Sequence, residues 1–244
     1  MRSSNPILDP EVFIQGIDGS YSKPMTIQGT VNKSFILLSI VVAASMFTFF
    51  TAGTTLSLGF TIGGAIGGLI AAIVTTFNKK IANITAPIYA AFEGLFLGGI
   101  SAYFDAMYGG IALQAVMLTF GVFFCLLAAY KSGVIKATEN FKLGIVAATG
   151  AIGIIYLVHM VMGMFGSGIG LIHSTGTFGI IFSLGVVVIA ALNLVLDFDF
   201  IEQGAKHGAP KYMEWYAAFG LLVTLVWLYL EILKLLAKLA SRRD

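Results

Sequence analysis

Long stretches of apolar residues are the feature that most restricts how this chain can fold. Seven of them follow one another along the sequence, each about as long as the roughly 20 residues that a helix needs to cross a bilayer. They cover residues 34–52, 54–77, 84–103, 110–130, 143–165, 178–196 and 216–236. Segments that are apolar on every face cannot face water, so these stretches predict membrane-spanning helices, numbered here as spans one to seven.

The composition agrees with a lipid environment. The 244 residues are 58% hydrophobic and 11% charged, with a mean hydropathy of +0.93, whereas a soluble domain carries about 25% charged residues. The stretches lack the alternation of polar and apolar residues that a membrane β-barrel requires, and in lipid their backbone hydrogen bonds must then close within each segment. The sequence therefore predicts an all-α, polytopic membrane helix bundle.

The organisation along the chain follows from the same stretches. Residues 1–33 predict a mobile cytoplasmic tail, residues 34–240 a single transmembrane domain of seven helices, and residues 241–244 a short basic tail. We expect no secretory signal, because the first apolar stretch starts late and is too long for one.

Several function classes have no support in the sequence. The net charge is +2 and the basic residues are spread along the chain, so we expect no nucleic-acid partner. A single cysteine rules out a disulfide framework, and the sequence contains no HExxH zinc motif and no GxxxxGKS/T phosphate loop. We therefore expect no enzyme activity, no catalytic residue, no metal ligand set and no cofactor.

Loop charges predict the orientation. Lys and Arg occur before span one and in the loops after spans two, four and six, whereas the loops after spans one, three and five contain none. This pattern places the N-terminus in the cytoplasm, and we expect the plasma membrane of a bacterium. Lys238, Arg242 and Arg243 lie at the end of span seven or after it, and seven complete crossings would place them outside the cytoplasm. Either span seven is only partly inserted, or this last helix tolerates an exception to the preference of basic residues for the cytoplasm.

Glycines at regular spacing mark two of the spans. They are Gly59, Gly63 and Gly67, flanked by Gly64 and Gly68, in span two, and Gly94 and Gly98 in span three. Such strips allow another helix to approach closely. They predict either close helix packing or a helix that slides as a gate.

Ionisable side chains inside hydrocarbon are costly and rarely idle. Glu93 lies near the middle of span three, where it is either a protonated carboxyl bonded to a neighbouring helix or a proton or cation site. His159, in span five, is either part of that pathway, since histidine titrates near neutral pH, or a packing residue. Asn193 predicts a hydrogen bond between helices.

Further acids lie in the last two spans. Asp197 and Asp199 end span six, and residues two apart point in different directions on a helix, so only one of them faces the interior. Glu231 either pairs with Lys234, one turn away, or faces an acid of span six. Two carboxylates that share a site cannot both ionise easily. For that arrangement we predict that protonation holds the two helices together and that deprotonation separates them.

Four segments resemble a known family. LDFDFIEQGAKHG and WLYLEILKLLAKL, at the end of span six and in span seven, are similar to the signature of the Bax inhibitor-1/YccA family. FEGLFLGGIS in span three and KSGVIKATENF after span four also resemble it. The resemblance covers roughly residues 30–240 and implies a seven-helix bundle with a central seventh helix. It also implies pH-dependent calcium leak, suppression of cell death in eukaryotes and modulation of a membrane protease in bacteria.

The resemblance places the paired acids of the family on Asp197 and Glu231. The pair is about nine residues further apart than is usual, which displaces Glu231 by roughly 13 Å along span seven. Span two also lacks the basic residue that the family often has near these acids. The expected function is a pH-sensitive calcium or cation leak, gated by Asp197, Glu231 and Asp199, that binds Ca²⁺ only transiently. The alternative is a non-conducting regulator of a membrane protease or another membrane protein.

Overall fold

The structure is a computed structural model that describes residues 24–165 and 176–242. Over these ranges it contains seven long α-helices and no β-strand. The helices are α1 (Ile27–Phe50), α2 (Thr55–Phe77), α3 (Ala82–Met107), α4 (Ile111–Lys131), α5 (Glu139–Met164), α6 (Thr177–Lys206) and α7 (Met213–Ala240). Each of them is long and apolar enough to cross a membrane. The predicted all-α polytopic bundle is confirmed.

Local polar sequence sets several helix ends. The Thr26 hydroxyl accepts a hydrogen bond of 2.9 Å from the Gly29 backbone N–H and so caps α1. Thr54 and Thr138 cap α2 and α5 in the same way. Gly208 follows α6 with a φ of +67°, a left-handed conformation that glycine adopts without strain. The helices therefore end where capping chemistry allows, beyond the apolar pattern.

Two of the helices extend well past the stretches predicted for them. α1 begins at Ile27, so residues 27–33 are helical and the boundary of the predicted mobile tail is corrected. Residues 1–23 of that tail, and residues 243–244 of the basic C-terminal tail, lie outside the described residues. α6 continues to Lys206, although its apolar stretch stops at residue 196. A helix satisfies its own backbone groups in lipid and in water alike, so polar sequence can continue it beyond the hydrocarbon.

The chain divides into two compact units, and three helices, α3, α6 and α7, have residues in both of them. The first unit comprises Met1–Gly99 and Asp199–Leu222, and the second comprises Ile100–Phe198 and Val223–Asp244. The first therefore contains α1, α2 and most of α3, with the end of α6 and the start of α7. The second contains the end of α3, all of α4 and α5, most of α6 and the rest of α7.

Small and aromatic residues pack the first unit. Ala86 and Ala90 of α3 are fully buried, as is Ala218 of α7. The rings of Tyr89 and Phe219 meet edge to face with their centroids 5.0 Å apart, a geometry that aromatic pairs favour. Alanines on both helices allow this close approach of α3 and α7.

Branched aliphatic residues and one polar contact pack the second unit. Leu194 and Val195 of α6 and Leu228 of α7 are fully buried. The Asn193 side-chain amide donates a hydrogen bond of 2.8 Å to the Thr149 hydroxyl of α5. The interhelical hydrogen bond predicted for Asn193 is confirmed.

α7 is the most buried of the described helices. The buried share of its most apolar segment is 50%, against 11–39% for the other six. A helix that contacts neighbours on several sides has little room for an unpartnered polar group. A functional site is therefore expected among the polar side chains of α7.

Candidate functional site

α7 carries two carboxylates that are almost completely shielded from solvent. Glu214 is 0% and Glu231 1% exposed. Glu214 lies in the first turn of the helix, within the first unit, and Glu231 lies in the second unit. Buried carboxylates are stable only with donors or cations beside them, and each of these has its own set.

Glu231 is held by a tyrosine and a lysine. The Tyr156 hydroxyl of α5 donates to Glu231 Oε2 at 3.1 Å, and Lys234 Nζ donates to Glu231 Oε1 at 3.0 Å. The same ammonium lies 5.3 Å from the centroid of the Tyr156 ring. Of the two arrangements predicted for Glu231, the local ion pair with Lys234 is therefore the one that is found.

Asp197 has a different partner on α7. Its carboxyl forms a hydrogen bond with the Thr224 hydroxyl. Its Oδ2 atom is buried and has no hydrogen-bond partner in the described part of the chain. Thr224 precedes Glu231 by seven residues, about 10 Å of helix.

Asp197 and Glu231 therefore do not share a site in this arrangement. Asp197 meets α7 at Thr224, about two turns before Glu231, and this offset agrees with the displacement expected from the extra residues between the two acids. Asp199 and His159, the other two candidates, are half-buried on α6 and α5. A role for either in gating or in a cation pathway stays a prediction.

Glu93 lies half-buried on α3, against a glycine of α2. A Cβ added to Gly68 would come within 2.9 Å of Glu93 Oε2. One turn earlier, a Cβ on Gly64 would lie 2.6 Å from the Phe92 carbonyl oxygen. Glycine at these two positions therefore lets the α3 backbone and the Glu93 carboxyl approach α2 closely.

The other predicted packing glycines fall into two groups. A Cβ on Gly94 would lie 2.6 Å from the Val41 carbonyl oxygen of α1, and one on Gly98 would collide with that of Ser45. Gly67 meets the Phe92 ring. Gly59 and Gly63 are exposed, and a Cβ on either would meet no described atom within 4 Å. A packing role for Gly59 and Gly63 therefore stays a prediction that would need a surface outside this chain.

Sequence reasoning missed the cluster around Glu214. Lys33 of α1 forms an ion pair with Glu214 Oε2, and Lys211 Nζ lies 3.4 Å from Oε1. The Thr26 backbone N–H and hydroxyl both donate to Oε1 at 3.0 Å. In the sequence, Lys33 lies before span one and Lys211 after span six, so the two lysines count only among the charges that predict the orientation. The available signal was the acid in the first turn of α7, three residues after Lys211, but its main partner lies 181 residues away.

A cavity of about 280 Å³ lies in the second unit, beside Glu231. Its wall includes Lys234 and Lys238 of α7, Tyr156 of α5, and residues near the end of α3 and the start of α6. Lys238 Nζ is held at this wall by the Ser183 hydroxyl at 2.7 Å and by the Gly179 carbonyl oxygen at 3.1 Å.

The buried acids are single carboxyls rather than a metal centre. Across residues 24–165 and 176–242, no group of three His, Cys, Asp or Glu side chains could hold a metal ion. A lone carboxyl offers at most two oxygens, far fewer than the six to eight that Ca²⁺ takes in a tight site. The geometry is suited to proton exchange and to weak, passing contact with a cation.

The seven apolar helices of the described residues, with carboxylates buried between them, define a polytopic integral membrane protein. The sequence profile of the family described as Bax inhibitor 1 like matches residues 5–241. The chain therefore belongs to the Bax inhibitor 1-like family, as its resemblance predicted. A search of curated proteins found no match.

Proposed function

We propose that this protein is a pH-sensitive cation leak, with calcium as the ion, gated by protonation of intramembrane carboxylates. We place it in a bacterial plasma membrane with its N-terminus in the cytoplasm. The observation that carries the proposal is Asp197, whose buried carboxyl has one oxygen bonded to Thr224 and one oxygen without a described partner.

Protonation of Asp197 changes how well α6 and α7 fit together. A neutral carboxyl keeps its hydrogen bond to Thr224 and leaves no charge at the contact. An ionised carboxylate leaves Oδ2 charged with no donor, which costs several kcal/mol inside a membrane protein. Separation of the helices or entry of water relieves that cost, so the leak is expected to increase as the pH rises.

Glu93 and Glu231 have separate parts in this proposal. Glu93 supplies hard oxygen atoms, the ligands that calcium prefers, and a lone carboxylate binds weakly enough to release the ion again. Glu231 has both oxygens engaged by Tyr156 and Lys234. Its contribution is to fix α7 relative to α5 while the region around Asp197 moves.

Calcium flux into liposomes tests the proposal. The purified full chain is reconstituted around a trapped calcium dye, and the initial rate is measured between about pH 5 and pH 8, a range around physiological pH. We expect the wild-type rate to rise with pH. Asp197→Asn is expected to hold the rate at its low-pH value throughout, because the amide stays neutral.

Matched variants give this experiment its controls. Glu139→Gln removes a carboxylate whose side chain is 81% exposed, and it should leave both the rate and its pH dependence unchanged. Glu93→Gln should lower the rate at every pH while the pH profile keeps its shape. Absence of flux at all pH values, or an Asp197→Asn profile identical to wild type, would contradict the proposal.

A non-conducting regulator is the second candidate function. Gly59 and Gly63, one turn apart on α2, are exposed, and a Cβ added to either would meet no described atom within 4 Å. Small residues on a lipid-facing surface favour close contact with another membrane helix. If liposomes show no flux, crosslinking of α2 to a membrane protease or another membrane protein becomes the deciding measurement, with Gly63→Leu expected to abolish it.

A further inference from the structure

The cavity beside Glu231 has a charge pattern that does not suit a cation. Its titratable wall residues include two lysines, Lys234 and Lys238, and one glutamate. Both oxygens of Glu231 are already engaged by Tyr156 and Lys234. A cation entering the cavity would face two ammonium groups and a single carboxylate whose oxygens already accept from Tyr156 and Lys234, whereas an anion would be attracted by the excess positive charge.

Lys234 is available to a ligand. An ammonium group has three N–H donors, and the structure shows one of them bonded to Glu231 at 3.0 Å. The Lys234 side chain is 41% exposed. Its ammonium is also held over the Tyr156 ring, which fixes its position at the wall. A charged donor that is oriented but not saturated is a feature of anion sites.

The rest of the wall is apolar and the volume is small. Phe104 and Met107 of α3 and Phe182 of α6 line the cavity together with Ala237 of α7. A volume of about 280 Å³ is at the low end for ligand pockets, which span roughly 300–1,000 Å³. The cavity therefore fits a small group with a charged head and a short apolar body, and it is too small for a whole lipid.

The helix ends place the cavity near a membrane surface. Its wall comes from the last turn of α3, which ends at Met107, the second turn of α6, which begins at Thr177, and the last turns of α7, which ends at Ala240. Spanning helices begin and end at the interface, where lysine ammonium groups reach water and headgroups. The cavity is thus accessible to a solute or to a lipid headgroup.

We propose that this cavity binds a small amphipathic anion, a carboxylate or phosphate on a short apolar body, through Lys234 and Lys238. The anion comes either from water, as an organic acid, or from the bilayer, as an anionic headgroup. The proposal does not depend on calcium conduction, because the anion contacts Lys234 and Lys238, whereas the proposed gate is Asp197 and the proposed cation ligand is Glu93.

Titration calorimetry on the purified full chain in detergent tests the site. The probes are benzoate, a soluble aromatic carboxylate, and dihexanoyl-phosphatidylglycerol, a short anionic lipid, with the zwitterionic dihexanoyl-phosphatidylcholine as reference. Saturable binding of benzoate but not of dihexanoyl-phosphatidylglycerol assigns a soluble acid. Saturable binding of dihexanoyl-phosphatidylglycerol but not of benzoate assigns an anionic headgroup. Either result supports the site. Failure of both anions to saturate, or equal binding of the zwitterionic lipid, overturns it.

Three variants connect the binding to this cavity. Lys234→Gln removes a charged donor and should weaken anion binding about tenfold or more. Ala237→Leu fills the cavity without changing its charge and should weaken binding to a similar extent. Lys206→Gln removes an exposed lysine at the end of α6 and should have no effect. If Lys234→Gln and Lys206→Gln bind equally well, the assignment to this cavity is wrong. If the cavity variants do not fold, the wild-type comparison of anionic with zwitterionic probes still decides.

Discussion

A carboxylate buried in a helix bundle needs donors, and the acids of this chain obtain them in different ways. Glu214 has two lysines and a helix-capping threonine, and Glu231 has a lysine and a tyrosine. Asp197 has the Thr224 hydroxyl on one oxygen and, among the described residues, no partner on the other. This ranking separates structural acids from an acid whose protonation matters. Glu214 stabilises the fold, whereas Asp197 is the proposed gate.

Loss of the Glu214 charge is expected to destabilise the protein. Glu214→Gln leaves Lys33, whose side chain is only 16% exposed, without a carboxylate, and breaking a buried ion pair of this kind costs about 2–4 kcal/mol. The free energy of unfolding, measured by titration with dodecyl sulfate, should fall by about that amount. Glu139→Gln, at an exposed pair with Lys142, should change it little. If the two variants lowered the free energy of unfolding equally, the buried Glu214 ion pair would not be a main source of stability.

At the scale of helices, register decides which glycines matter. The strip of Gly59, Gly63 and Gly67 is the most regular in the sequence, but among the α2 glycines the α3 backbone lies closest to Gly64, and Gly68, one turn later, faces the Glu93 carboxyl. Successive residues of an α-helix are rotated by about 100° around the helix axis, so a shift of one position moves the contact to a different side of the helix. Periodicity shows that a close contact is favoured, and the neighbouring helix selects the face.

Two glycine substitutions should therefore have opposite effects. In Gly98→Ala the new Cβ collides with the backbone carbonyl of Ser45, which cannot rotate away, and the loss of stability should be about 1–3 kcal/mol. In Gly63→Ala nothing described lies within 4 Å, and alanine favours a helix over glycine. Thermal unfolding in detergent should thus show a lower midpoint for Gly98→Ala and an unchanged or higher one for Gly63→Ala. A lower midpoint for Gly63→Ala alone would mean that α3 does not pack against α1 at Gly98 and that α2 is packed at Gly63 instead.

For the whole molecule, seven helices and the loop charges together predict opposite sides for the two termini. α7 is continuous over 28 residues, about 42 Å of helix, which is enough to cross the hydrocarbon despite Lys234 and Lys238 near its end. Alkaline phosphatase fused after Asp244 should therefore be active outside the cytoplasm, and a fluorescent protein at the same position should stay dark. The reverse result would mean that α7 does not cross.

Features of this protein that depend on contiguous residues could be predicted from the sequence, and features that depend on contacts between helices mostly could not. Hydropathy and helix length are properties of contiguous residues, so the all-α class, the number of helices and the hydrogen-bonding role of Asn193 could be predicted. The start of α1 at Ile27 could not, because its cap at Thr26 lies outside the apolar stretch. The separate partners of Asp197 and Glu231 were only partly foreseeable, from the unusually long spacing between them.

The amino-acid sequence alone was enough to establish that this chain spans a membrane as α-helices. The removal of apolar surface from water acts on every apolar segment independently, so local composition is sufficient to predict it. The ion pair of Glu214 with Lys33, the Asp197 oxygen that has no described partner and the lysine-lined cavity depend on how separate helices are rotated and offset. Those rotations are set by the packing of many side chains at once. They emerge only when the helices are assembled.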